Sequence, residues 1–110
     1  MKLAIENHEH LLVVQPEETR LDALVAVEFR ERLAGLVSEG HKRLVLDLGS
    51  VEFIDSSGLG AMVTVLKKIG TQGEIRVCCI SKPVQSLFET TRMNKVFKIF
   101  ASRRQALLGA

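Results

Sequence analysis

The residues best placed to do chemistry lie in one run, Asp55-Ser56-Ser57-Gly58-Leu59-Gly60. A carboxylate, two neighbouring hydroxyls and two glycines stand where an apolar strand pattern hands over to a helical one. The first N–H groups of a helix have no partner within it, and the helix dipole is positive there. Asp and Ser at such a place serve first as caps. The same field also accepts a phosphate, so a phosphoserine of about −1.5 to −2 charges could form at Ser56 without breaking the helix. Asp55 would add like charge against any partner docked over the hydroxyl. Gly58 and Gly60 each cost up to about 1 kcal/mol relative to Ala inside a helix. Their presence points to a close approach, either by a partner or by the chain's own sheet.

A catalytic role for the serines lacks its companions. No Gly-x-Ser-x-Gly elbow surrounds Ser56 or Ser57, and no Gly-x-x-x-x-Gly-Lys-Ser/Thr or Gly-x-Gly-x-x-Gly phosphate loop is present. The nearest general base by type, His41, is expected at the opposite end of a strand. The chain is therefore read as a binding protein and not an enzyme, with no cofactor. His8 and His10 could share a strand face, but they lack the further ligands of a metal site. Cys78 and Cys79 are adjacent, so on a strand their side chains point to opposite faces. They are expected to be two buried structural thiols that do not meet.

The elements that must carry the run are short and alternate. Residues 2–7 and 10–15 read as strands around a turn at Asn7-His8-Glu9. Asp22 is expected to cap a first helix whose apolar stripe is Val25, Phe29, Leu33, Leu36 and Val37, ending at Gly40. Residues 44–48 form an apolar strand pattern suited to burial on both faces. The second helix begins at Asp55-Ser56-Ser57, buries Leu59, Met62, Val63, Leu66 and Ile69, and stops at Gly70. A strand follows over 74–80. Ser81-Lys82-Pro83 opens a third helix with proline in its first turn. A last strand spans 96–100, and Ser102 with Gln105 forms a capping-box pattern for a fourth helix. The resulting order, β-β-α-β-α-β-α-β-α, predicts an α/β domain: a mixed, mostly parallel sheet of about five strands with about four helices.

Composition narrows the function classes. A chain of 110 residues is one domain, taken as 1–110. Fifteen basic against thirteen acidic residues give a formal net charge of +2, too small a footprint for nucleic acid, and there is no Trp or Tyr for base stacking. No apolar run approaches the roughly 18 residues that span a bilayer. The opening Met1-Lys2-Leu3-Ala4-Ile5-Glu6 is unlike a signal peptide, so a cytoplasmic protein without membrane or direct nucleic-acid partners is expected. The expected state is a monomer.

The stretch Leu44-Val45-Leu46-Asp47-Leu48, continued by Val51-Glu52-Phe53-Ile54 and the Asp55–Gly60 run, resembles STAS-domain anti-sigma factor antagonists. Arg20-Leu21-Asp22-Ala23 is similar to the family's Leu-Asp segment ahead of its first helix. Ile75 to Ile80, Ser81 and Leu87-Phe88 are similar to its later strand and helix. The resemblance implies a partner switch. The unphosphorylated protein would bind a GHKL-type ATPase that is both a serine kinase and an anti-sigma factor, or regulator of another output. Phosphorylation of Ser56 would release it, and a PP2C-type phosphatase would reset it. The resemblance places Asp22 and Asp55 beside Ser56, with Ser57, and puts Gly58 and Leu59 at the docking surface. Thr19-Arg20 departs from the Gly-Glu pair that many members carry there. Two rivals to this reading are a non-phosphorylated STAS scaffold subunit of a transporter or signalling assembly and, more remotely, a small hydrolase or nucleotide-binding enzyme.

Overall fold

The β-branched run ahead of Pro16 forms strand β2 (Leu12–Pro16), paired antiparallel with β1 (Leu3–Asn7) in a computed structural model that describes residues 1–109. Strand β4 (Arg43–Asp47) lies parallel between β2 and β6 (Glu74–Cys78), and β7 (Lys98–Phe100) closes the far edge. The sheet order is β1-β2-β4-β6-β7, which confirms the mixed, mostly parallel sheet of five strands expected from the alternation.

Helices cover both faces. Helices α1 (Ala26–Ser38), α2 (Ser56–Ile69) and α3 (Lys82–Thr90) bury Phe29, Leu33, Met62, Val65, Val84 and Phe88 in one core with Leu44, Leu46, Ile75 and Val77 of the central strands. Truncating a fully buried phenylalanine such as Phe29 to alanine costs about 3–5 kcal/mol in proteins generally. The short helix α4 (Arg103–Leu108) covers Val13, Val45 and Cys78 on the other face through Ala106. Burial on both sides is why residues 44–48 read as an unbroken apolar run, save for Asp47. Among the described residues, no helix is long and apolar enough to cross a membrane.

Four details differ from the sequence reading. A second, two-stranded parallel sheet pairs β3 (Arg20–Leu21) with β5 (Phe53–Ile54). A two-residue strand has no periodicity to read, and its partner lies far along the chain. Asp22 does not cap α1. Its Oδ1 accepts from the Leu24 N–H at 3.1 Å and its carbonyl from Val25 and Ala26, forming a turn, and α1 starts only at Ala26. The chain leaving β3 has to turn before it can lie along the sheet. Strand β6 ends at Cys78 because Cys79 has φ 66°, in the left-handed region that no strand uses. Residues 93–95 form a 3-10 turn, which shortens the last strand to 98–100.

Gly40, with φ 109°, ends α1 as expected, and its N–H donates to the Val37 carbonyl at 3.0 Å. The Ser102 hydroxyl accepts from the Gln105 N–H at 3.1 Å, the cap expected for α4, while the Gln105 side chain accepts from the Ala101 N–H at 3.2 Å, one residue ahead of the bond that a capping box makes.

Arg103 ties α4 to the strands. Asp47, the sole buried charged side chain among the described residues, accepts at Oδ2 from Arg103 Nε at 2.9 Å and at Oδ1 from the Gly49 N–H at 2.8 Å. Arg103 Nη2 also donates to Gln15 Oε1 at 2.9 Å. Arg103→Met leaves a buried carboxylate short of donors and is expected to cost about 1–3 kcal/mol, read as a lower midpoint in urea denaturation.

Glu74 faces Arg43 across the sheet and takes a 3.0 Å hydrogen bond from Arg76 Nε. The Arg76 bond, followed by that from Arg43, holds the Glu74 carboxyl below the usual range. Folding thus favours its ionised form. The stability it adds is present above the unfolded-state pKa and is lost as pH falls through the lower folded one. Glu74→Gln should flatten the acid limb of the stability curve, with only a small change at neutral pH because the pair is partly exposed.

Candidate functional site

The site is built where the small sheet meets the start of α2. The Thr19 carbonyl accepts from Glu52 and Phe53 at 2.8 and 3.2 Å, and the Leu21 carbonyl accepts from the Asp55 N–H at 3.3 Å. These bonds bring residues 19–22 beside residues 52–55. Asp55 is the N-cap of α2, and its Oδ1 accepts from the Ser57 and Gly58 N–H groups at 2.8 and 3.1 Å. The capping work thus belongs to Asp55. Ser56, the first residue of the helix, is exposed, and Ser57 is half-buried.

Gly58 and Leu59 do not face outward. Both are buried, as the apolar periodicity predicts for Leu59, which corrects the place on a docking surface that the family resemblance implied for them. A Cβ on Gly58 would run into the Leu21 carbonyl oxygen and the Ile54 side chain. The close approach that this glycine permits is therefore made by the chain's own β3. Leu59 packs into the main core and anchors the helix start from beneath. Gly60 is different: it is exposed, with open space where its Cβ would stand.

The segments that build the site also carry exposed apolar groups. Leu24 is 91% exposed, Val27 53% and Phe53 41%, three of the six large apolar side chains exposed among the described residues. A shallow groove between α1 and α2 is lined by Ala23, Val27, Arg30, Ser57, Gly60 and Thr64. Arg20 lies 4.2 Å from the Phe53 ring centroid and donates to Asp22 Oδ2 at 3.2 Å. Pinned at both ends, it places a guanidinium at the edge of the site. The sequence named Asp22, Asp55, Ser56 and Ser57, and the structure brings these residues together. Leu24, Val27 and Phe53 carried no motif and escaped notice; an exposed leucine in a helix-entry turn is a signal only once its exposure is known.

The cysteines also differ from expectation. Cys78 is buried and Cys79 only half-buried, and their sulfurs lie 3.2 Å apart. The left-handed φ of Cys79, a conformation costing about 1–2 kcal/mol outside glycine, cancels the strand alternation that should have separated them. Burial pushes both thiols up, Cys78 further than Cys79, and the Asp47 carboxylate adds to the effect.

The histidines do not converge into a metal site. His8 is hydrogen-bonded to Glu6, and His8, His10 and His41 line a pocket at the start of β4. That pocket is at the opposite end of the strand from the α2 N-terminus, where His41 was expected.

The model of the STAS domain family matches residues 2–106. The chain belongs to the STAS domain family. A Bordetella bronchiseptica protein with the provisional name anti-sigma factor antagonist BtrV is 30% identical over 107 residues, covering 96% of this chain and 91% of that one. An anti-sigma F factor antagonist of Paenibacillus polymyxa is 27% identical over 111 residues, covering 97% and 92%. Among solved structures, an anti-sigma factor antagonist of Mycobacterium paratuberculosis superposes with a TM-score of 0.88 at 23% identity, covering 98% of this chain and 92% of that one. At that identity the superposition speaks for the fold: this STAS domain has the layered α/β architecture of its neighbours.

Gly58→Ala is expected to destabilise the STAS domain by about 1–3 kcal/mol, because the new methyl meets backbone and not a flexible side-chain end. Gly60→Ala, at an open position, should be neutral or stabilising. Parallel urea titrations of the two variants check the contrast.

Proposed function

We propose that this STAS domain is an anti-sigma factor antagonist, a protein-binding switch set by phosphorylation of Ser56. Unphosphorylated, it binds a GHKL-type serine kinase that also serves as the anti-sigma factor. The kinase transfers the γ-phosphoryl group of ATP to Ser56 Oγ, leaving ADP, and the complex separates. A PP2C-type phosphatase hydrolyses the phosphoserine to serine and inorganic phosphate, restoring the binding form.

The observation that carries the reading is the division of labour at the start of α2. Asp55 makes both cap bonds, so the exposed Ser56 hydroxyl is not needed to hold the helix. A residue with a purely capping role would be engaged by the backbone. The names of the relatives, anti-sigma factor antagonists in Bordetella bronchiseptica and Paenibacillus polymyxa, support the same assignment.

The physics of release follows from the surroundings. A phosphate at the first helical residue is favoured by the unpaired N–H groups and the dipole, so the fold persists. The cost falls on the bound partner. Val27 lines a groove with Ser57, the next residue, and the exposed Phe53 stands just ahead of the helix start; a partner covering these apolar groups would exclude water. An unpaired dianion trapped there, beside Asp55 and Asp22, is strongly unfavourable. Coupling between two such events commonly amounts to about 1–3 kcal/mol.

Ser56→Asp should weaken capture of the kinase at least tenfold, and Ser56→Ala should hold it constitutively. Affinity capture from the native lysate with both variants as baits, read by mass spectrometry, makes the comparison. A GHKL-type ATPase retained by the alanine bait and lost from the aspartate bait supports the switch. The same partners on both baits would overturn it in favour of a scaffold that ignores the hydroxyl.

A further inference from the structure

We infer that Asp47, Cys78 and Cys79 form a binding site for a thiophilic divalent cation of the zinc class, separate from the Ser56 surface. Their ligand atoms, one carboxylate oxygen and two sulfurs, all lie within 4.8 Å of one another. The sulfurs are 3.2 Å apart. Zinc takes sulfur at about 2.3 Å and carboxylate oxygen at about 2.0–2.2 Å in tetrahedral geometry, which sets donors roughly 3.3–3.8 Å from one another. A shift of about an ångström closes the set around an ion. Cys79 is the accessible member, being half-buried while Asp47 and Cys78 are buried. Its exposure also leaves the fourth coordination position to water.

Three features set this cluster apart from a chance meeting of thiols. The positive φ of Cys79 turns its side chain toward Cys78 instead of away from it. Asp47 is aimed into the cluster by the Gly49 N–H on Oδ1 and by Arg103 on Oδ2. Oδ1, which takes only the Gly49 N–H, keeps a second lone pair for a cation. Charge also closes: two thiolates, the Asp47 carboxylate, the Arg103 guanidinium and a divalent ion sum to zero, as a partly buried site requires. Binding releases the two thiol protons to solvent and changes no oxidation state. A disulfide is the poorer use of the same atoms. Neighbouring Cα atoms stand about 3.8 Å apart across a trans peptide, short of the roughly 4.4–6.8 Å that a disulfide spans without strain.

The test is titration of the full, reduced chain with cadmium as a spectroscopic substitute and with zinc itself. One equivalent of cadmium should raise the ultraviolet sulfur-to-metal charge-transfer band, and native mass spectrometry should find one ion per chain. Zinc should compete the band away and raise the melting temperature. Cys79→Ser, at the half-exposed position, should keep the wild-type circular dichroism spectrum and weaken cadmium binding at least tenfold. Cys78→Ser should abolish the band. Cadmium bound without the sulfur band would assign it to the histidine pocket at His8, His10 and His41 and overturn the inference. So would wild-type affinity in folded Cys79→Ser, or conversion of the pair to a disulfide in place of metal uptake.

Discussion

The approach of α2 to the Leu21 carbonyl is the contact on which the site's geometry depends. It is possible because residue 58 has no Cβ. With the helix seated that low, the Asp55 N–H reaches the same carbonyl oxygen, and the Asp55 side chain closes back over the Ser57 and Gly58 N–H groups. Two stretches more than thirty residues apart in sequence are thereby held as one surface. Leu59 and Ile54 complete the seat from the core side. A bulkier residue at 58 would lift the start of α2 away from Leu21 and Ile54.

That surface combines rigidity beneath with exposure above. The sheet below is buried on both faces, and its central strands supply a stiff platform. Leu24, Val27 and Phe53 are exposed apolar groups on the segments above it. In the proposed switch, a phosphate on Ser56 would weaken partner binding without unfolding the support. Arg20, stacked on Phe53 and paired with Asp22, gives this chain a cationic edge at the site. Charge at an interface rim acts mainly on association rate and partner choice.

On the other face, Asp47 organises a different neighbourhood. It is a buried charge, and it persists because Arg103 and the Gly49 amide satisfy it. Arg103 belongs to α4 and also bonds Gln15, so the same ion pair seats the last helix on the sheet. The cysteines complete this polar island between strand ends and α4. The molecule thus carries two chemically distinct clusters near the carboxyl end of its central strands, one governed by a helix start and the other by a buried carboxylate.

Much of this was legible in the order of residues. Hydrophobic periodicity, with the proline at Pro83 and the Ser102–Gln105 cap pattern for the last two helices, located the four helices and the five main strands, because these signals follow from local backbone geometry. The Asp55-Ser56-Ser57-Gly58 run marked a helix start for the same local reason. Four things required the tertiary structure. The pairing of β3 with β5 is a contact between distant two-residue segments with no pattern of their own. The burial of Gly58 depends on which side of α2 meets β3, and the turn at Asp22 on how β3 aims the chain. The meeting of Cys78 with Cys79 hangs on one φ angle that strand alternation cannot foresee. Local sequence encodes what each segment becomes; packing at a distance decides which of its atoms face one another.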